Sequence, residues 1–474
     1  MPRPPDPAAI AELKAAVGAG GWLESPADIA PYVEDFRKLY RGATPLVLLP
    51  RSLAEAATIL AVCNRRAIAV VPQGGNTGYC GAATPDESGT QVVVAMQRMK
   101  RVREVDPENY SMIVEAGCTL RAAQDAAQAA GRLFPLSLGS EGTAQIGGNL
   151  ATNAGGTAVL RYGMMRDLTL GLEVVLADGR VLPALQKLRK DNTGYDLKSL
   201  FIGSEGTLGL ITAAALKLFP LPTDTATALV GVESPRQALA LLLRLRDAFA
   251  DQITSFELMP RLAVELTVRH IDGVANPLSE DDPWFVLVEI AAADGAGRAS
   301  AQLTDALAAV AAEGGVRSAL IASSLAQSDA IWKLRESVPA AQRLHGASLK
   351  HDLSVPISAV PRLIELGTAL VERIAPDGQT IAYGHVGDGN LHFNVSQRAG
   401  ADRDAFLARQ PALEEAMFDL ALRLGGSFSA EHGIGKLKAA EFARRADPVE
   451  LGLMHDLKRV FDPKGILNPG KVLA

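Results

Sequence analysis

The stretch Pro72-Gln73-Gly74-Gly75-Asn76-Thr77-Gly78 follows a predicted buried strand and carries little side-chain bulk. Upstream of it, residues 45–50 and 67–72 are predicted strands, and residues 52–66 are a predicted helix. Glycine lets backbone N–H groups approach a ligand closely and adopt positive φ, so loops of this kind can surround a diphosphate. Three more such loops lie in the first half of the chain, at 139–143, 147–156 and 203–209. Together the four loops indicate a large phosphate-bearing cofactor.

Two common nucleotide-binding motifs are missing from the sequence. It contains no G-x-x-x-x-G-K-[ST], which disfavours a P-loop NTPase. It also lacks a G-x-G-x-x-G motif followed by an acidic residue at the usual distance, which disfavours a Rossmann nicotinamide site.

Composition narrows the class of protein. The 474 residues have a net charge of −6 from 47 basic and 53 acidic side chains, without a basic stripe, so nucleic acid is not an expected partner. The three cysteines form no CxxC pair, which fits a reducing compartment. No signal peptide or membrane-spanning stretch is recognisable. We therefore expect a soluble, cytoplasmic protein that does not cross a membrane.

The pattern of glycines and apolar residues predicts an α+β protein of three segments, at 1–220, 221–415 and 416–474. Residues 8–40 look like a helical lead-in, and short strands alternate with glycine-rich loops up to about residue 220. From 222 to 330 strands alternate with helices, which predicts helices on one face of a mainly antiparallel sheet. Helical patterns return at 358–373, 410–424 and 437–460.

A second set of residues has the chemistry of a metal site. His385 and His392 flank a four-residue turn, Gly387-Asp388-Gly389-Asn390, of strong hairpin type. If Val386 pairs with Leu391, His385 faces His392 across the ladder, and Asn394 shares their face. Further along the chain, Glu431-His432 adds a carboxylate and an imidazole. Two histidines and a glutamate suit a catalytic zinc ion, and Mn²⁺ or Fe²⁺ would accept the same ligands.

The glycine loops, with Asp191-Asn192-Thr193-Gly194-Tyr195-Asp196, resemble the FAD-binding domain of vanillyl-alcohol-oxidase-type (PCMH-type) flavoproteins. From about residue 40 to the C-terminus the chain is most similar to FAD-linked D-2-hydroxyglutarate dehydrogenases and their D-lactate relatives. The first loop has Asn76 and no histidine, so we expect FAD to be bound without a covalent link. The resemblance implies these cofactor-binding residues: Pro72, Gly74, Gly75, Asn76, Thr77, Gly78, Gly81, Pro135, Gly139, Ser140, Thr143, Gly147, Gly148, Asn149, Thr152, Asn153, Gly155, Glu205, Gly206, Ile211 and Asn468.

The same resemblance implies roles for residues in the second half. His385, His392 and Glu431 match the family's metal ligands, and His432 matches the residue taken as catalytic base. Substrate binding falls to Arg335, Lys350, Asn394 and His432. Pro339 stands where the D-2-hydroxyglutarate enzymes carry a threonine that helps to hold the distal carboxylate. D-2-Hydroxyglutarate is the favoured substrate, and this departure leaves D-malate or D-lactate open as alternatives.

The chemistry expected is oxidation of a D-2-hydroxy acid to the 2-oxo acid, with hydride transfer to flavin N5. A divalent cation lowers the pKa of the hydroxyl, and a neutral imidazole accepts its proton. The resemblance favours an electron-transfer flavoprotein or a quinone as acceptor, and it suggests a homodimer. Two alternatives are a flavin oxidase that uses dioxygen and a metal-dependent hydrolase that uses His385, His392 and Glu431.

Overall fold

The computed structural model describes residues 2–279, 281–292 and 297–473. The chain divides into two compact units. The first comprises Met1–Gly156, Gly163–Leu221 and Glu431–Ala474, and the second comprises Thr157–Tyr162 and Pro222–Ala430. The assignment of functional domains to 1–220, 221–415 and 416–474 stays a prediction.

The strands are numbered in chain order. The first unit contains β1 (Trp22–Leu23), β2 (Val47–Leu48), β3 (Val70–Gln73), β4 (Val92–Ala95), β5 (Val102–Asp106), β6 (Ser111–Glu115), β7 (Arg132–Leu133), β8 (Thr169–Val175), β9 (Val181–Ala184), β10 (Leu210–Lys217) and β11 (Phe219–Pro220). The second unit contains β12 (Asp224–Val232), β13 (Ile253–Pro260), β14 (Trp284–Ala292), β15 (Ser318–Ile321), β16 (Ser348–Ser354), β17 (Gly378–His385) and β18 (Asn390–Gln397).

The helices are numbered in the same way. They are α1 (Pro7–Val17), α2 (Pro26–Ile29), α3 (Leu53–Arg66), α4 (Leu120–Ala129), α5 (Ile146–Ala151), α6 (Val159–Tyr162), α7 (Lys198–Phe201), α8 (Pro235–Phe249), α9 (Arg261–His270), α10 (Arg298–Ala312), α11 (Leu325–Glu336), α12 (Val338–His345), α13 (Val360–Ile374), α14 (Arg403–Leu407), α15 (Gln410–Arg423), α16 (Ala439–Arg445) and α17 (Pro448–Phe461). Short 3₁₀ turns lie at Ala30–Tyr32, Ala250–Gln252 and Ile357–Ala359.

A four-stranded sheet, in the order β1-β2-β4-β3, opens the first unit. The strand pairs β2–β4 and β3–β4 are parallel, and helices and loops cover both faces of the sheet. Val92 and Val94 pack with α1 and α3, whereas Val93 between them packs in a second cluster with Ile29 and Val33. This alternation follows from the two-residue period of a strand, and valine-rich runs are typical of strands buried on both faces.

A five-stranded antiparallel sheet, in the order β5-β6-β10-β8-β9, completes the strand framework of the first unit together with the pair β11–β7. Asp178-Gly179, a dipeptide that favours tight hairpin turns, lies in the connection between β8 and β9. The C-terminal tail runs beside β3. The N–H of Val70 donates to the carbonyl of Ile466, and the carbonyl of Val70 accepts from the N–H of Asn468. Ile466 and Leu467 are buried in the core of this unit.

The second unit is built on a seven-stranded sheet in the order β15-β12-β14-β13-β17-β18-β16, and every neighbouring pair is antiparallel. Helices α9, α11 and α12 pack on the face that carries Met259 and Ile381. Helix α13 lies on the other face, where its Gly367 is close to the ring of Phe393. All residues of β13 are buried. Helices therefore cover both faces, where the sequence predicted one.

Two predicted helical stretches are shorter than expected. Residues 8–40 contain α1, the short strand β1, the one-turn helix α2 and a 3₁₀ turn. The first helix stops early because Gly18, Gly20 and Gly21 end it. The stretch 437–460 is two helices, since Asp447 caps a new start and Pro448 cannot continue the previous one. Within the described parts of the chain, no helix combines the length and the apolar character that a membrane span requires.

Candidate active site

The loop after β3 is fixed by its own side chains and by a neighbouring loop. Gln73 Nε2 donates to the carbonyls of Tyr32 at 2.9 Å and Ala83 at 2.8 Å. A Cβ on Gly75 would lie only 2.0 Å from the carbonyl oxygen of Thr143. Because only glycine permits this approach, two of the predicted cofactor loops lie backbone against backbone.

The segment that leads into α5 also packs tightly, and it presents polar atoms. Gly147 N–H donates to Ala116 O at 2.7 Å. Gln145 Oε1 and Asn149 Nδ2 are buried and have no hydrogen-bond partner among the residues that the structure describes. Since buried polar atoms in native proteins are nearly always hydrogen-bonded, these two fit a site whose polar partner is a bound cofactor.

A cleft lies among these loops in the first unit. The predicted cofactor residues that line it are Pro72, Gly74, Gly147, Gly148, Thr152, Glu205, Gly206 and Ile211. Other residues also line it. Gln73, Ala151, Gly209 and Leu210 lie in or directly after the predicted loops without having been named, and Ala82, Ala83, Met96 and Ala116 lie outside them. Most of these are small residues next to a glycine loop, a signal that would have identified them.

The other predicted cofactor residues do not line this cleft, and their part in cofactor binding stays a prediction. They are Gly75, Asn76, Thr77, Gly78, Gly81, Pro135, Gly139, Ser140, Thr143, Asn149, Asn153, Gly155 and Asn468. Asn468 joins three parts of the first unit, because its Nδ2 donates to the carbonyls of Ala82 at 3.0 Å and Glu205 at 2.7 Å.

Glu205 holds the loop that follows His432. Its two carboxylate oxygens accept from the N–H groups of Ile434 at 2.7 Å and Gly435 at 2.8 Å. Burial raises the pKa of Glu205 to about 7, although these two donors and the ammonium groups of Lys438 and Lys471 act in the opposite direction. The carboxyl thus titrates close to neutral pH at the wall of the cleft.

His432 is supported by the loop after β3. Its ring packs on Tyr79 with the ring centroids 4.6 Å apart. The next residue of that loop is Cys80, whose Sγ donates to the carbonyl of Gly433 at 3.3 Å. The carbonyl of Cys80 accepts from the N–H of Lys436 at 2.8 Å. The predicted base is therefore held by the same loop that lines part of the cleft.

In the second unit the two predicted ligand histidines lie on one face of the sheet. Tyr383, not His385, is the residue opposite His392, so the predicted hairpin register was wrong. The error is two residues, and a shift of two keeps a side chain on the same face. The rings of His385 and His392 are 5.5 Å apart between centroids. His385 instead lies opposite Glu257 on β13.

Glu257 connects two predicted site residues. It accepts from His385 Nδ1 at 2.6 Å and from Arg335 at 2.7 Å, and its side chain is 1 % exposed. Burial alone would raise the pKa of Glu257, but Arg335 and His385 lower it to about 2. The carboxyl is ionised at neutral pH. No sequence pattern indicates Glu257, because this residue lies 128 residues from His385 and becomes its neighbour only in the folded sheet.

The adjacent strand pair adds polar groups to the same face. Lys350 is exposed and lies opposite the buried Asn394, whose Nδ2 donates to Gln342 Oε1 at 2.8 Å. Asp352 lies opposite His392, with 4.0 Å between a carboxylate oxygen and the ring nitrogen Nδ1. Asp352 was not predicted, although its position two residues after Lys350 puts it on the same face of the strand.

Two family models match this chain. "FAD binding domain" matches residues 44–184, and "FAD linked oxidases, C-terminal domain" matches residues 221–472, more than half of the chain.

Three relatives match nearly the whole chain. A Bos taurus protein named D-2-hydroxyglutarate dehydrogenase, mitochondrial, is 39% identical over 96% of this chain and 81% of its own length. The Stutzerimonas stutzeri protein named D-2-hydroxyglutarate dehydrogenase is 33% identical, with 99% of each chain covered. A Saccharomyces cerevisiae protein named D-2-hydroxyglutarate–pyruvate transhydrogenase is 34% identical over 95% of this chain and 90% of its own length.

Solved structures with the same fold are less similar in sequence. p-Cresol methylhydroxylase has a TM-score of 0.76 at 17% identity and covers 98% of this chain and 96% of its own. Alkyldihydroxyacetonephosphate synthase has a TM-score of 0.74 at 18% identity and covers 99% and 86%. Together with the two family models, these likenesses confirm the predicted fold class, a PCMH-type α+β flavoprotein with an antiparallel sheet in the second part and a helical C-terminal segment.

Proposed function

Because the chain belongs to the D-2-hydroxyglutarate dehydrogenase family of FAD-linked oxidases, we propose that it oxidises D-2-hydroxyglutarate, and less readily D-malate or D-lactate, to the 2-oxo acid. The observation that carries this proposal is similarity over nearly the full length to dehydrogenases of that name, at 33% to 39% identity. The chain is an FAD-dependent oxidoreductase of the D-2-hydroxy acid class, with an FAD-binding domain at residues 44–184.

FAD is proposed to bind in the cleft of the first unit without a covalent link. The unpaired amide atoms at Gln145 and Asn149 do not line the cleft themselves, but they flank Gly147 and Gly148, which do, and they support a large polar cofactor beside this segment. When bound, the flavin would supply the two-electron chemistry as the acceptor of the hydride from C2 of the substrate. The protein contributes the tight loops that hold the cofactor in one orientation.

A divalent cation is proposed to be held by His385, His392 and Glu431, with Asp352 as a further candidate. Ser427 is bridged to Ser354 at the end of β16, and Glu431 follows Ser427 by four residues in the chain. Imidazole nitrogen and carboxylate oxygen suit Zn²⁺ first and also Mn²⁺ or Fe²⁺. The metal would lower the pKa of the substrate hydroxyl.

His432 is proposed as the base that accepts the hydroxyl proton. Imidazole is the side chain most often used as a general base, and the Tyr79 ring and the Glu205-bound loop hold this one in place. Glu431 Oε1 is 3.6 Å from His432 Nε2, so the proposed base and the proposed ligand lie side by side.

Substrate carboxylates are proposed to bind to Arg335 and Lys350, with Asn394 beside them. Arg335 is buried and its direction is fixed by Glu257, whereas Lys350 is exposed on a neighbouring strand. Such groups suit an acid with a carboxylate at each end.

The electron acceptor is proposed to be an electron-transfer flavoprotein or a quinone. The yeast relative's name adds a second 2-oxo acid as an acceptor to test. A flavin oxidase on the same substrates remains the alternative, and family membership leaves the metal-dependent hydrolase without support. The homodimer and the cytoplasmic location stay predictions.

Selectivity for the distal carboxylate is testable at Pro339, which lies in the first turn of α12 and has no hydroxyl to donate. The change Pro339→Thr should raise kcat/KM for D-2-hydroxyglutarate several-fold, because it adds a donor where the family has one. D-Lactate, which has no distal carboxylate, serves as the internal control and should respond little. Equal effects on both acids, or turnover of the L-enantiomers at the same rate, would contradict the proposed substrate class.

A further inference from the structure

The carboxylate of Glu257 divides its two oxygens between two functional side chains of the second unit. Oε1 is 2.6 Å from His385 Nδ1, and Oε2 is 2.7 Å from Arg335 Nε and from Arg335 Nη2. All three side chains are at least nine-tenths buried. This is a three-membered polar chain within an apolar layer, between β13, β17 and the end of α11.

A buried ion pair of this kind is not an efficient stabiliser. The desolvation cost of burying both charges often cancels their attraction, and well-packed apolar residues in the same positions can be equally stable. The surroundings are apolar residues such as Met259 and Leu334, which would accommodate that replacement. A role in setting geometry accounts for the arrangement better than stability does.

We propose that Glu257 is a positioning residue that selects the ligand nitrogen of His385 and fixes the direction of Arg335. With the proton of His385 on Nδ1 and donated to Glu257, the lone pair of the ring is on Nε2, which makes Nε2 the metal-ligating atom. With Nε and Nη2 of Arg335 on the same carboxylate, one edge of the guanidinium is committed and the plane of the fork is set. The ring of Tyr383, 5.0 Å from the guanidinium carbon, supports that plane.

The carboxylate of Glu257 thereby connects a proposed metal ligand, His385, with a proposed substrate-binding residue, Arg335. The inference rests on the proposed function, in which the metal holds the 2-hydroxy acid end and Arg335 a carboxylate. Both directions come from the same rigid group, so the separation between the two binding points is constant. Such coupling suits a 2-hydroxy acid with a second carboxylate at a fixed distance.

The test replaces Glu257 with glutamine in the full-length, FAD-loaded protein. A carboxamide turned to accept from Arg335 with its oxygen presents an N–H₂ group to His385, which moves the imidazole proton to Nε2. Zn²⁺ affinity, measured by competition with a chromogenic chelator, should fall by about 10- to 100-fold. The KM for D-2-hydroxyglutarate should rise as well, because Arg335 loses its ionic anchor.

Two comparison variants separate this role from general damage. Glu289→Gln makes the same change at a half-buried carboxylate of the same sheet, which accepts hydrogen bonds from Trp332, Thr254 and Thr227, so Zn²⁺ affinity should stay at the wild-type value. Arg335→Met should raise KM but leave Zn²⁺ affinity within about threefold. If Glu257→Gln fails to fold, the double variant Glu257→Gln/Arg335→Met takes its place in the test. It should fold because it leaves no buried guanidinium without a carboxylate partner. That double variant should still bind Zn²⁺ about 10- to 100-fold more weakly than Arg335→Met.

Unchanged Zn²⁺ affinity in Glu257→Gln, with wild-type protein that does bind the metal and turns over the acid, would overturn the positioning role and leave the proposed function intact. Wild-type protein that binds no divalent cation would instead overturn the proposed metal site, and the positioning role with it. Equal losses of Zn²⁺ affinity in Glu257→Gln and Glu289→Gln would show that Glu257 has only a structural role, which would overturn the proposal.

Discussion

Replacing Glu205 with glutamine should remove a pH-dependent loss of stability from the first unit. The Glu205 side chain is buried at the cleft, and burial raises its pKa from 4.5 to about 7. Between these two pH values the folded protein keeps a proton that the unfolded chain has released. The folded state is therefore favoured at low pH, and this advantage disappears as pH rises through the folded-state pKa.

The size of the effect follows from the two pKa values. Between pH 5 and pH 8 the wild-type protein should lose about 2.5 kcal/mol at this single group, at 1.36 kcal/mol per pKa unit. For a unit of about 260 residues this corresponds to a fall of about 5 °C in unfolding temperature. Glutamine cannot ionise, so the Glu205→Gln variant should lack this component.

The assay is thermal unfolding of the FAD-loaded protein at pH 5, 6, 7 and 8, followed by flavin fluorescence and circular dichroism. Glutamine leaves one of the N–H groups of Ile434 and Gly435 without an oxygen acceptor, which lowers the absolute stability by about 1–3 kcal/mol. The decisive quantity is therefore the change with pH, compared with Glu108→Gln at an exposed site of the same unit. Wild-type and Glu205→Gln curves that run parallel from pH 5 to pH 8 would refute the raised pKa.

Three further outcomes are expected. Gly75→Ala should abolish retention of FAD during purification, because the new Cβ would lie 2.0 Å from the carbonyl oxygen of Thr143; Gly452→Ala, whose Cβ meets nothing within 4 Å, should retain it. Acid denaturation and filtration should release all of the flavin from the wild-type protein, and yellow colour left in the protein fraction would contradict non-covalent binding. His432→Ala should keep both FAD and metal but reduce the flavin at least about 100-fold more slowly, and near-normal reduction would remove this residue from the role of base.

Local patterns were enough to predict most of the fold. The predicted helix at 52–66 matches α3, which Ser52 caps, to within one residue, and β2 and β3 overlap the predicted strands at 45–50 and 67–72. Both depend on neighbours within a few residues, which a sequence displays directly. The break between α16 and α17 was also visible in principle, at Pro448.

Tertiary relationships were harder to predict. The hairpin register was wrong by two residues because the turn covers Val386 to Gly389 and not residues 387–390. The predicted face was nevertheless correct, since an even shift preserves it. Glu257 and Asp352 escaped detection because each meets its histidine only across a sheet whose strand order no local pattern specifies.

Anaerobic mixing of the purified protein with single 2-hydroxy acids, followed in the visible flavin band, is the most direct measurement. D-2-Hydroxyglutarate should bleach the band fastest, D-malate and D-lactate more slowly, and the L-enantiomers not at all. A flavin band that none of the D-acids bleaches would contradict the proposed reaction, and bleaching by L-acids at the same rate would contradict its stereochemistry.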